Sequence, residues 1–444
     1  MSEFKQKIKK IILIFGDITL LYLSLFVILS LRYGDKYSID IFWQHFYPFS
    51  IIYFFWLSVF YINNLYSLEY ARNTYGFFSL VIKSFLFNAF ISVLFFYLAF
   101  NKIGISPKTI LAFNILIFAV LFIAWRLFYN YFIKTKTFSI NTLLLSDNEE
   151  AKEIIGKINS HPQLGYNIIP YLQDDAKNLK KIITDNNIKL IITSEEIKSN
   201  PEFLHNLYEC LPLKVGFENL PNFYEQITGK IPISIIGRIW FLENIKNLNR
   251  PAYNLFKRVV DVALSVIFAL PAIILSPLIA AIIKYQDNGP IFYRQKRFGE
   301  NGKIFTITKF RTMNTNSENS GPKFTEKNDN RITKIGKFLR DTRIDELPQI
   351  INVLKGEMSF IGPRPERPEF VEDFQKQIPF YNFRHIVKPG LTGWAQVNYD
   401  YGSSIEDAYK KLQYDLYYIK NKSLILDINT AFKTILTIIN RKGR

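Results

Sequence analysis

The amino-acid sequence predicts a membrane protein in three parts: a bundle of four spanning α-helices, a soluble α/β domain, and an α-rich domain with a further membrane helix. Three observations predict this fold class. Apolar stretches of spanning length fill the first third of the chain, short strands alternate with helices in the middle, and a proline-interrupted apolar stretch precedes a segment dense in polar motifs. We place the three domains at residues 1–135, 136–250 and 251–444.

The N-terminal third contains four apolar stretches long enough to cross a bilayer, at Ile11–Leu31, Phe46–Leu65, Leu80–Phe100 and Ile110–Phe132. The first is too long for a cleaved signal peptide. Basic residues precede the first stretch and flank the end of the fourth, namely Lys5, Lys7, Lys9, Lys10, Arg126, Lys134 and Lys136. Because the loop Arg32–Asp40 mixes charge signs, the positive-inside rule puts both ends of the bundle in the cytosol. A buried bundle in a soluble protein is the alternative, which the length of the runs disfavours.

The middle of the chain alternates short apolar strands with helical patterns, which is typical of a parallel α/β sheet. We predict strands at Asn141–Leu145, Tyr166–Leu172 and Lys189–Thr193, and helices at Glu149–Asn159 and Ala176–Asn186. The first strand-to-helix loop, Ser146–Glu149, has no glycine and carries two carboxylates. Such a loop repels a pyrophosphate, so we interpret the domain as Rossmann-like but not NAD-binding, with a regulatory or oligomerising role.

A fifth apolar stretch, at residues 262–284, carries Pro271 and the pair Ser276–Pro277 near its middle. Proline in a helix interior removes a hydrogen bond and bends the axis. Both flanks are basic, so a straight crossing would place one of them outside against the charge rule. We therefore predict a re-entrant helix broken at Ser276 and Pro277, with both ends in the cytosol. An ordinary kinked span is the alternative.

Composition limits the partners and the chemistry. The formal charge of +17 favours anionic partners, among them lipid, nucleic acid and phosphorylated small molecules. The single cysteine, Cys210, excludes an internal disulfide and suits soluble parts in the cytosol. The chain contains only four histidines, which argues against a histidine-based zinc site.

The C-terminal domain carries a dense series of polar motifs, at Lys257–Asp261, Gly289–Gln295, Lys309–Met313, Leu339–Arg340, Asp345–Gln349, Asn352–Ser359, Gly362–Glu366 and Pro389–Asn398. Their basic residues are spaced along loops and do not form one continuous run. This distribution suits a pocket for a pyrophosphate better than a nucleic-acid face, so we expect no nucleic-acid partner.

The pair Asp345-Glu346 precedes a predicted helix, Leu347–Leu354, in which Pro348 is tolerated in the first turn and Gly356 serves as the C-cap. A helix N-terminus favours a carboxylate and an incoming phosphate alike. Neighbouring residues on a helix diverge by about 100°, so the two carboxylates should have different roles. One can attack phosphorus while the other helps to hold Mg²⁺. Simple capping of the helix is the alternative.

Phosphoryl transfer also needs cations around the reacting group. The candidates are Lys309, Arg311, Arg340 and Arg364. The first three could equally be surface residues that meet lipid headgroups. Arg364 lies between two prolines that fix its backbone, which suits a bidentate phosphate contact.

With these motifs in order and at compatible spacing, residues from Phe256 to about Ile438 resemble the catalytic domain of the bacterial sugar transferases, the monotopic polyprenyl-phosphate glycosyl-1-phosphate transferases. Four spans followed by a Rossmann-like domain are similar to the large members, the undecaprenyl-phosphate glucose or galactose phosphotransferases. The runs Glu225–Lys230 and Trp240–Glu243 resemble the linker of those members.

The resemblance implies a two-step reaction at the cytosolic face of the bacterial inner membrane. Asp345 would attack the β-phosphate of a UDP-sugar and release UMP, and undecaprenyl phosphate would then accept the phosphosugar. Glu346, with Asp345, would ligate Mg²⁺, and Lys309, Arg340 and Arg364 would hold phosphates. We also assign Arg311, Thr392 and Gln396 to substrate binding. UDP-glucose is the first expected donor, before UDP-galactose and N-acetylated hexosamines, and the oligomeric state stays open, a homodimer being one option.

One departure from the resemblance lies at Val397-Asn398, which many members continue with Gly-Arg. Here Tyr399-Asp400 follows, so one phosphate or sugar contact must be made differently. The run from Tyr399 to Asp427 is more similar to the branch linked to exopolysaccharide export.

The sequence argues against two other functions and leaves a third as the alternative. A sugar-nucleotide dehydratase or epimerase would need the glycine-rich NAD loop that the middle domain lacks. A transporter would be built of repeats rather than four spans followed by a long soluble segment. A catalytically inactive scaffold for polysaccharide assembly is the remaining alternative, against which the intact Asp345, Glu346 and Arg364 argue.

Overall fold

The computed structural model describes residues 2–67, 74–103, 108–134, 139–170, 179–194, 201–244, 250–315, 329–399, 402 and 404–439. The chain divides into two compact units, Met1–Phe223 and Tyr224–Arg444. The division into three domains at residues 135 and 250 stays a prediction.

Four long helices open the first unit, as the apolar stretches predict. They are α1 Ser2–Tyr33, α2 Ile39–Ile62, α3 Tyr75–Ile103 and α4 Lys108–Lys134. Each contains a segment long and apolar enough to cross a membrane. Their common core is aromatic, with Trp56, Phe60, Phe118 and Phe122 fully buried. The chain is therefore a membrane protein with a helical N-terminal bundle.

Arg126 has a different role from the one that the charge rule gave it. Its guanidinium is buried in the bundle and donates to Asp17 at 2.5 Å and to the Leu65 carbonyl at 3.0 Å. A buried charge needs a partner, and here Asp17 provides it across 109 residues of sequence. Arg126 ties α1 to α4, so it does not count as a headgroup-facing cation.

A four-stranded parallel sheet follows, in the order β2-β1-β3-β4. The predicted strands and helices are confirmed to within a few residues, although residues 171–178 lie outside the described part of the chain. Asn148 accepts from the Ala151 amide at 2.9 Å and so caps the first helix of the sheet. The elements are β1 Ile140–Leu145, α5 Glu149–Ser160, β2 Tyr166–Pro170, α6 Leu179–Asp185, β3 Leu190–Thr193, α7 Pro201–Glu209, β4 Gly216–Asn219 and α8 Leu220–Thr228.

The second unit is rich in helix and contains two small sheets, one antiparallel (β5, β6) and one parallel (β7, β8). Its larger core packs the last helices around Val371, Leu412 and Leu416. Its elements are α9 Arg238–Asn244, α10 Pro251–Asp287, β5 Phe292–Phe298, β6 Ile304–Phe310, α11 Lys334–Asp341, α12 Ile350–Lys355, β7 Ser359–Ile361, α13 Pro368–Gln377, β8 Gly390–Thr392, α14 Trp394–Asn398, α15 Ile405–Asn421 and α16 Leu424–Ile439.

The fifth apolar stretch lies in one helix, α10, which runs from Pro251 to Asp287 with Pro271 and Pro277 inside it. A break at Ser276 and Pro277 stays a prediction. Each proline removes only one backbone donor, and serine hydroxyls can satisfy helix carbonyls in an apolar setting. The Ser276 hydroxyl donates to the Ala272 carbonyl at 2.6 Å. Most side chains between Val262 and Leu278 are apolar and exposed, as expected for a helix in contact with lipid.

Candidate active site

Asp345 and Glu346 lie on a 3₁₀ turn, Ile344–Gln349, that leads directly into α12. The predicted helix start at Leu347 is therefore corrected, since α-helical geometry begins only at Ile350. Pro348 has no N–H for an α-helical hydrogen bond to the Ile344 carbonyl, which disfavours a regular α-helical turn here. The predicted C-cap is confirmed, with Gly356 in the left-handed region at φ +80°.

Glu346 is the centre of a cluster of positive charges. Its Oε1 accepts from Lys309 Nζ and from Arg364 Nη2, both at 2.9 Å. The guanidinium of Arg343 lies 3.9 Å from the same oxygen. Burial alone would raise the pKa of the Glu346 carboxyl, but the charges of Lys309, Arg364 and Arg343 together hold it well below its ordinary value. Glu346 is therefore ionised at neutral pH.

Lys309 comes from β6, where its partner across the hairpin is Tyr293. Burial lowers the pKa of its ammonium group, while the negative charges of Glu346 and Asp345 act in the opposite direction. Asp345 itself is only 4% exposed. The two acidic residues thus differ in surroundings: Glu346 is bound to cations, and Asp345 lies buried beside them within reach of the Lys309 charge.

The donor set is compatible with Mg²⁺ bound jointly by protein and substrate. The described residues contain no group of three or more His, Cys, Asp or Glu side chains that could hold a metal by themselves. Mg²⁺ usually takes one or two carboxylates and completes its shell with substrate phosphates and water. Within the described part of the chain both hydrogen bonds to Glu346 end on Oε1, and Oε2 accepts none.

The loop that carries Arg364 is fixed through its backbone. Four consecutive carbonyls accept hydrogen bonds. Pro363 accepts from the Gly390 amide at 2.9 Å, and Arg364 accepts from the Arg384 side chain at 3.0 Å. Pro365 accepts from the Arg297 side chain and Glu366 accepts from the Phe298 amide, both at 3.0 Å. Two of the donors are guanidinium groups of distant residues. This loop holds the Arg364 side chain in place before any substrate arrives.

Arg384 is one of the residues that stabilise that loop. Its buried guanidinium forms an ion pair with Asp415 at 2.8 Å and donates to the Tyr381 hydroxyl at 2.6 Å. Burial raises the pKa of Asp415 to about 6, although Arg384 lowers it. Asp415 is therefore mostly ionised at pH 7 and depends on Arg384 for its partner.

Replacing Arg384 by Met should lower the free energy of unfolding by about 3–5 kcal/mol, because Asp415 would remain buried without a counter-charge. Thermal unfolding of the purified protein in nanodiscs measures this loss. The double variant Arg384→Met/Asp415→Leu should recover much of it, since an apolar pair can replace a buried ion pair. A single variant as stable as the wild type would contradict this role of the pair.

Three of the four other predicted substrate-binding residues have identified partners, and the buried Oε1 of the fourth, Gln396, has none among the described residues. Arg311 donates to the Pro290 carbonyl at 2.6 Å and so joins β6 to the turn after α10. Arg340 donates to the Thr312 hydroxyl at 2.8 Å. The Thr392 hydroxyl lies 2.7 Å from that of Thr434, and Gln396 follows on α14. Their assignment to substrate stays a prediction, and Asp400 lies outside the described residues.

Sequence reasoning missed Arg343, Arg384 and Arg297. Arg343 could have been identified from its place two residues before Asp345. The other two act through hydrogen bonds to the Arg364 loop from 20 and 68 residues away along the chain. No spacing pattern indicates such contacts.

The sequence of the chain is similar to those of known proteins. The family model described as bacterial sugar transferase matches residues 252–441. The chain is 43% identical over 242 residues to the UDP-N-acetylgalactosamine-undecaprenyl-phosphate N-acetylgalactosaminephosphotransferase of Aeromonas hydrophila, covering 53% of this chain and 55% of that protein. It is 40% identical over 308 residues to the UDP-glucose:undecaprenyl-phosphate glucose-1-phosphate transferase of Escherichia coli K12, covering 64% of each.

A third relative is matched over more of its length. The undecaprenyl-phosphate galactose phosphotransferase of Salmonella typhimurium is 30% identical over 339 residues, and the alignment covers 68% of each chain. The alignments with the first two relatives cover less than two thirds of those proteins. The family match includes Lys309, Arg343 and Arg364, the described residues that lie within 4 Å of the Glu346 carboxylate.

Proposed function

The chain belongs to the bacterial sugar transferase family, of the polyprenyl-phosphate glycosyl-1-phosphate transferase type, and we propose from this premise that it transfers a sugar-1-phosphate from a UDP-sugar to undecaprenyl phosphate. The observation that carries the proposal is the cluster around Glu346. A buried aspartate, an ionised glutamate and three cations meet beside a membrane helix. This combination suits phosphoryl transfer to a lipid phosphate.

In the proposed mechanism a carboxylate oxygen of Asp345 attacks the β-phosphorus of the UDP-sugar. The bond between that phosphorus and the bridging oxygen breaks, and UMP leaves with the bridging oxygen. An oxygen of undecaprenyl phosphate then attacks the same phosphorus and displaces Asp345, which regenerates the carboxylate. Undecaprenyl-diphosphate-sugar and UMP are the products, and no oxidant or reductant is needed.

The other residues of the site bind and orient the reactants. Lys309 and Arg364 stabilise the charge that develops on the phosphoryl oxygens, and their fixed positions avoid reorganisation during the reaction. Mg²⁺, held by Glu346 and Asp345 together with substrate phosphate oxygens, would supply further charge neutralisation. The buried setting of Lys309 strengthens these interactions because little water screens them.

The contacts of α10 support a path that does not cross the bilayer. Near its start, Arg258 donates to the Val353 and Leu354 carbonyls at 2.6 Å, and Asp261 accepts from Ser359 at 3.0 Å. Near its end, Ile279 and Ile283 pack against Phe310 and Leu339. In a straight helix that crosses the bilayer, residues 258 and 283 would lie about 37 Å apart, on opposite sides of the ~30 Å hydrocarbon core.

Both ends of α10 therefore contact one folded unit, which favours a helix that enters and leaves on the same side. We propose that this unit faces the cytosol of the bacterial inner membrane, where UDP-sugars occur. A cysteine introduced by Lys284→Cys should react with a membrane-impermeant thiol reagent in inverted vesicles and not in intact spheroplasts. Labelling from the periplasmic side would contradict the re-entrant path. Because Cys210 is buried, it should contribute little background.

Release of UMP from a panel of UDP-sugars tests the function directly. The panel contains UDP-glucose, UDP-galactose, UDP-N-acetylglucosamine and UDP-N-acetylgalactosamine, since the relatives are named for glucose, galactose and N-acetylgalactosamine. With purified protein in nanodiscs and Mg²⁺, release should depend on undecaprenyl phosphate and stop when EDTA is added. UDP-glucose is the first expected donor. No release with any donor would favour the alternative of an inactive membrane scaffold.

A further inference from the structure

Arg343 has a backbone conformation that arginine rarely adopts. It lies at φ +58° and ψ +15°, in the left-handed region, immediately before the turn that carries Asp345 and Glu346. A side chain in this region is disfavoured, and glycine or asparagine is the usual residue. Strain of this kind clusters at functional sites, where the surrounding structure maintains it. An arginine therefore occupies a position where glycine or asparagine would be favoured.

The side chain of Arg343 differs from the two other cations at Glu346. Lys309 and Arg364 each donate a hydrogen bond of 2.9 Å to the carboxylate. The Arg343 guanidinium stays 3.9 Å away, and its side chain is 31% exposed. Among the described residues its side chain makes no hydrogen bond, so the five N–H donors of its guanidinium have no protein acceptor there. Its charge is held near Glu346, and its hydrogen-bonding capacity remains available.

We propose that Arg343 is a phosphate-binding residue of this site, whose guanidinium donates to two oxygens of a substrate phosphate group. The planar fork of a guanidinium matches a phosphate bidentately, which an ammonium group does not. This phosphate belongs either to the nucleotide diphosphate or to the lipid monophosphate. Both are substrates of the proposed function, on which this inference rests. The position of Arg343 beside Glu346 places the bound group next to both carboxylates.

Two substitutions separate this role from a role in folding. Arg343→Asn removes the charge and keeps a residue that tolerates the left-handed conformation, so the melting temperature should be unchanged or higher. Arg343→Lys keeps the charge and loses the fork. Lys337→Gln on α11, an exposed lysine outside the cluster, removes the same unit of charge and serves as the matched control.

Calorimetric titration of the full chain in nanodiscs with inorganic pyrophosphate gives the first result. The dissociation constant should rise about tenfold or more in Arg343→Asn, by less in Arg343→Lys, and stay within about twofold of wild type in Lys337→Gln. If wild type fails to bind pyrophosphate, or if Arg343→Asn binds it as wild type does, the proposal is overturned. This titration needs no turnover, so the proposed function can fail in the UMP assay while Arg343 still binds phosphate.

Steady-state kinetics then identifies the source of the phosphate. A raised KM for the UDP-sugar with an unchanged KM for undecaprenyl phosphate assigns Arg343 to the nucleotide diphosphate. The reverse pattern assigns it to the lipid phosphate. Unchanged KM values for both substrates in Arg343→Asn would overturn the proposal, because a phosphate contact must affect the binding of at least one of them.

Discussion

Replacing Asp345 by Asn should reduce transfer by about 10³-fold or more, because the variant keeps the shape of the side chain and loses the nucleophile. Asp345 is 4% exposed, so a substitution of equal volume preserves the packing of the turn. The release of UMP measures turnover, and thermal unfolding verifies the fold. Binding of the UDP-sugar should persist, since Lys309 and Arg364 remain in place.

The matched control for this variant is Asp341→Asn, an exposed position four residues earlier in the chain. It removes the same charge near the site, and its activity should stay within about twofold of wild type. Undiminished transfer in Asp345→Asn would exclude a covalent intermediate on this residue. Equal losses in both variants would show that net charge, and not the nucleophile, explains the effect.

Replacing Glu346 by Gln should affect both activity and stability. The glutamine amide cannot neutralise Lys309 and Arg364, and the ammonium-bearing side chain of Lys309 is only 17% exposed. Removing one partner of a buried ion pair costs about 3–5 kcal/mol, so the free energy of unfolding should fall by that order. Transfer should fall as well, since the carboxylate that we assign to Mg²⁺ is lost.

Glu346→Asp separates the effect of charge from that of side-chain length, because it keeps the carboxylate on a side chain that is one methylene shorter. Its stability should lie between those of wild type and Glu346→Gln, as measured by thermal unfolding in nanodiscs. A Glu346→Gln variant with wild-type stability and activity would contradict the central position that the contacts give to Glu346.

Much of the fold could be predicted because it depends on local patterns. Long apolar runs define α1 to α4, and the strand-helix alternation around Glu149–Ser160 defines the parallel sheet. The turn with Asp345 and Glu346 was located by Pro348 and Gly356, two residues whose backbone preferences do not depend on context.

The remaining features depend on contacts that sequence spacing does not encode. Arg126 was taken for an orientation signal because its partner Asp17 lies in another helix. Arg384 and Arg297 donate hydrogen bonds to backbone carbonyls of the Arg364 loop. Because every residue has a backbone carbonyl, the sequence does not indicate these contacts. The break expected at Ser276 and Pro277 stays a prediction, since proline can bend a helix without ending it and α10 is helical on both sides of Pro277.

Covalent attachment of the phosphosugar to Asp345 is tested most directly by omitting the lipid acceptor, undecaprenyl phosphate. Protein in nanodiscs without undecaprenyl phosphate is mixed with the preferred UDP-sugar, and peptides are then analysed by mass spectrometry. We expect a burst of about one UMP per chain and a peptide containing Asp345 that has gained the mass of a phosphosugar. If no UMP appears until the lipid is added and no peptide is modified, the sugar phosphate passes directly between the two substrates and the account is contradicted.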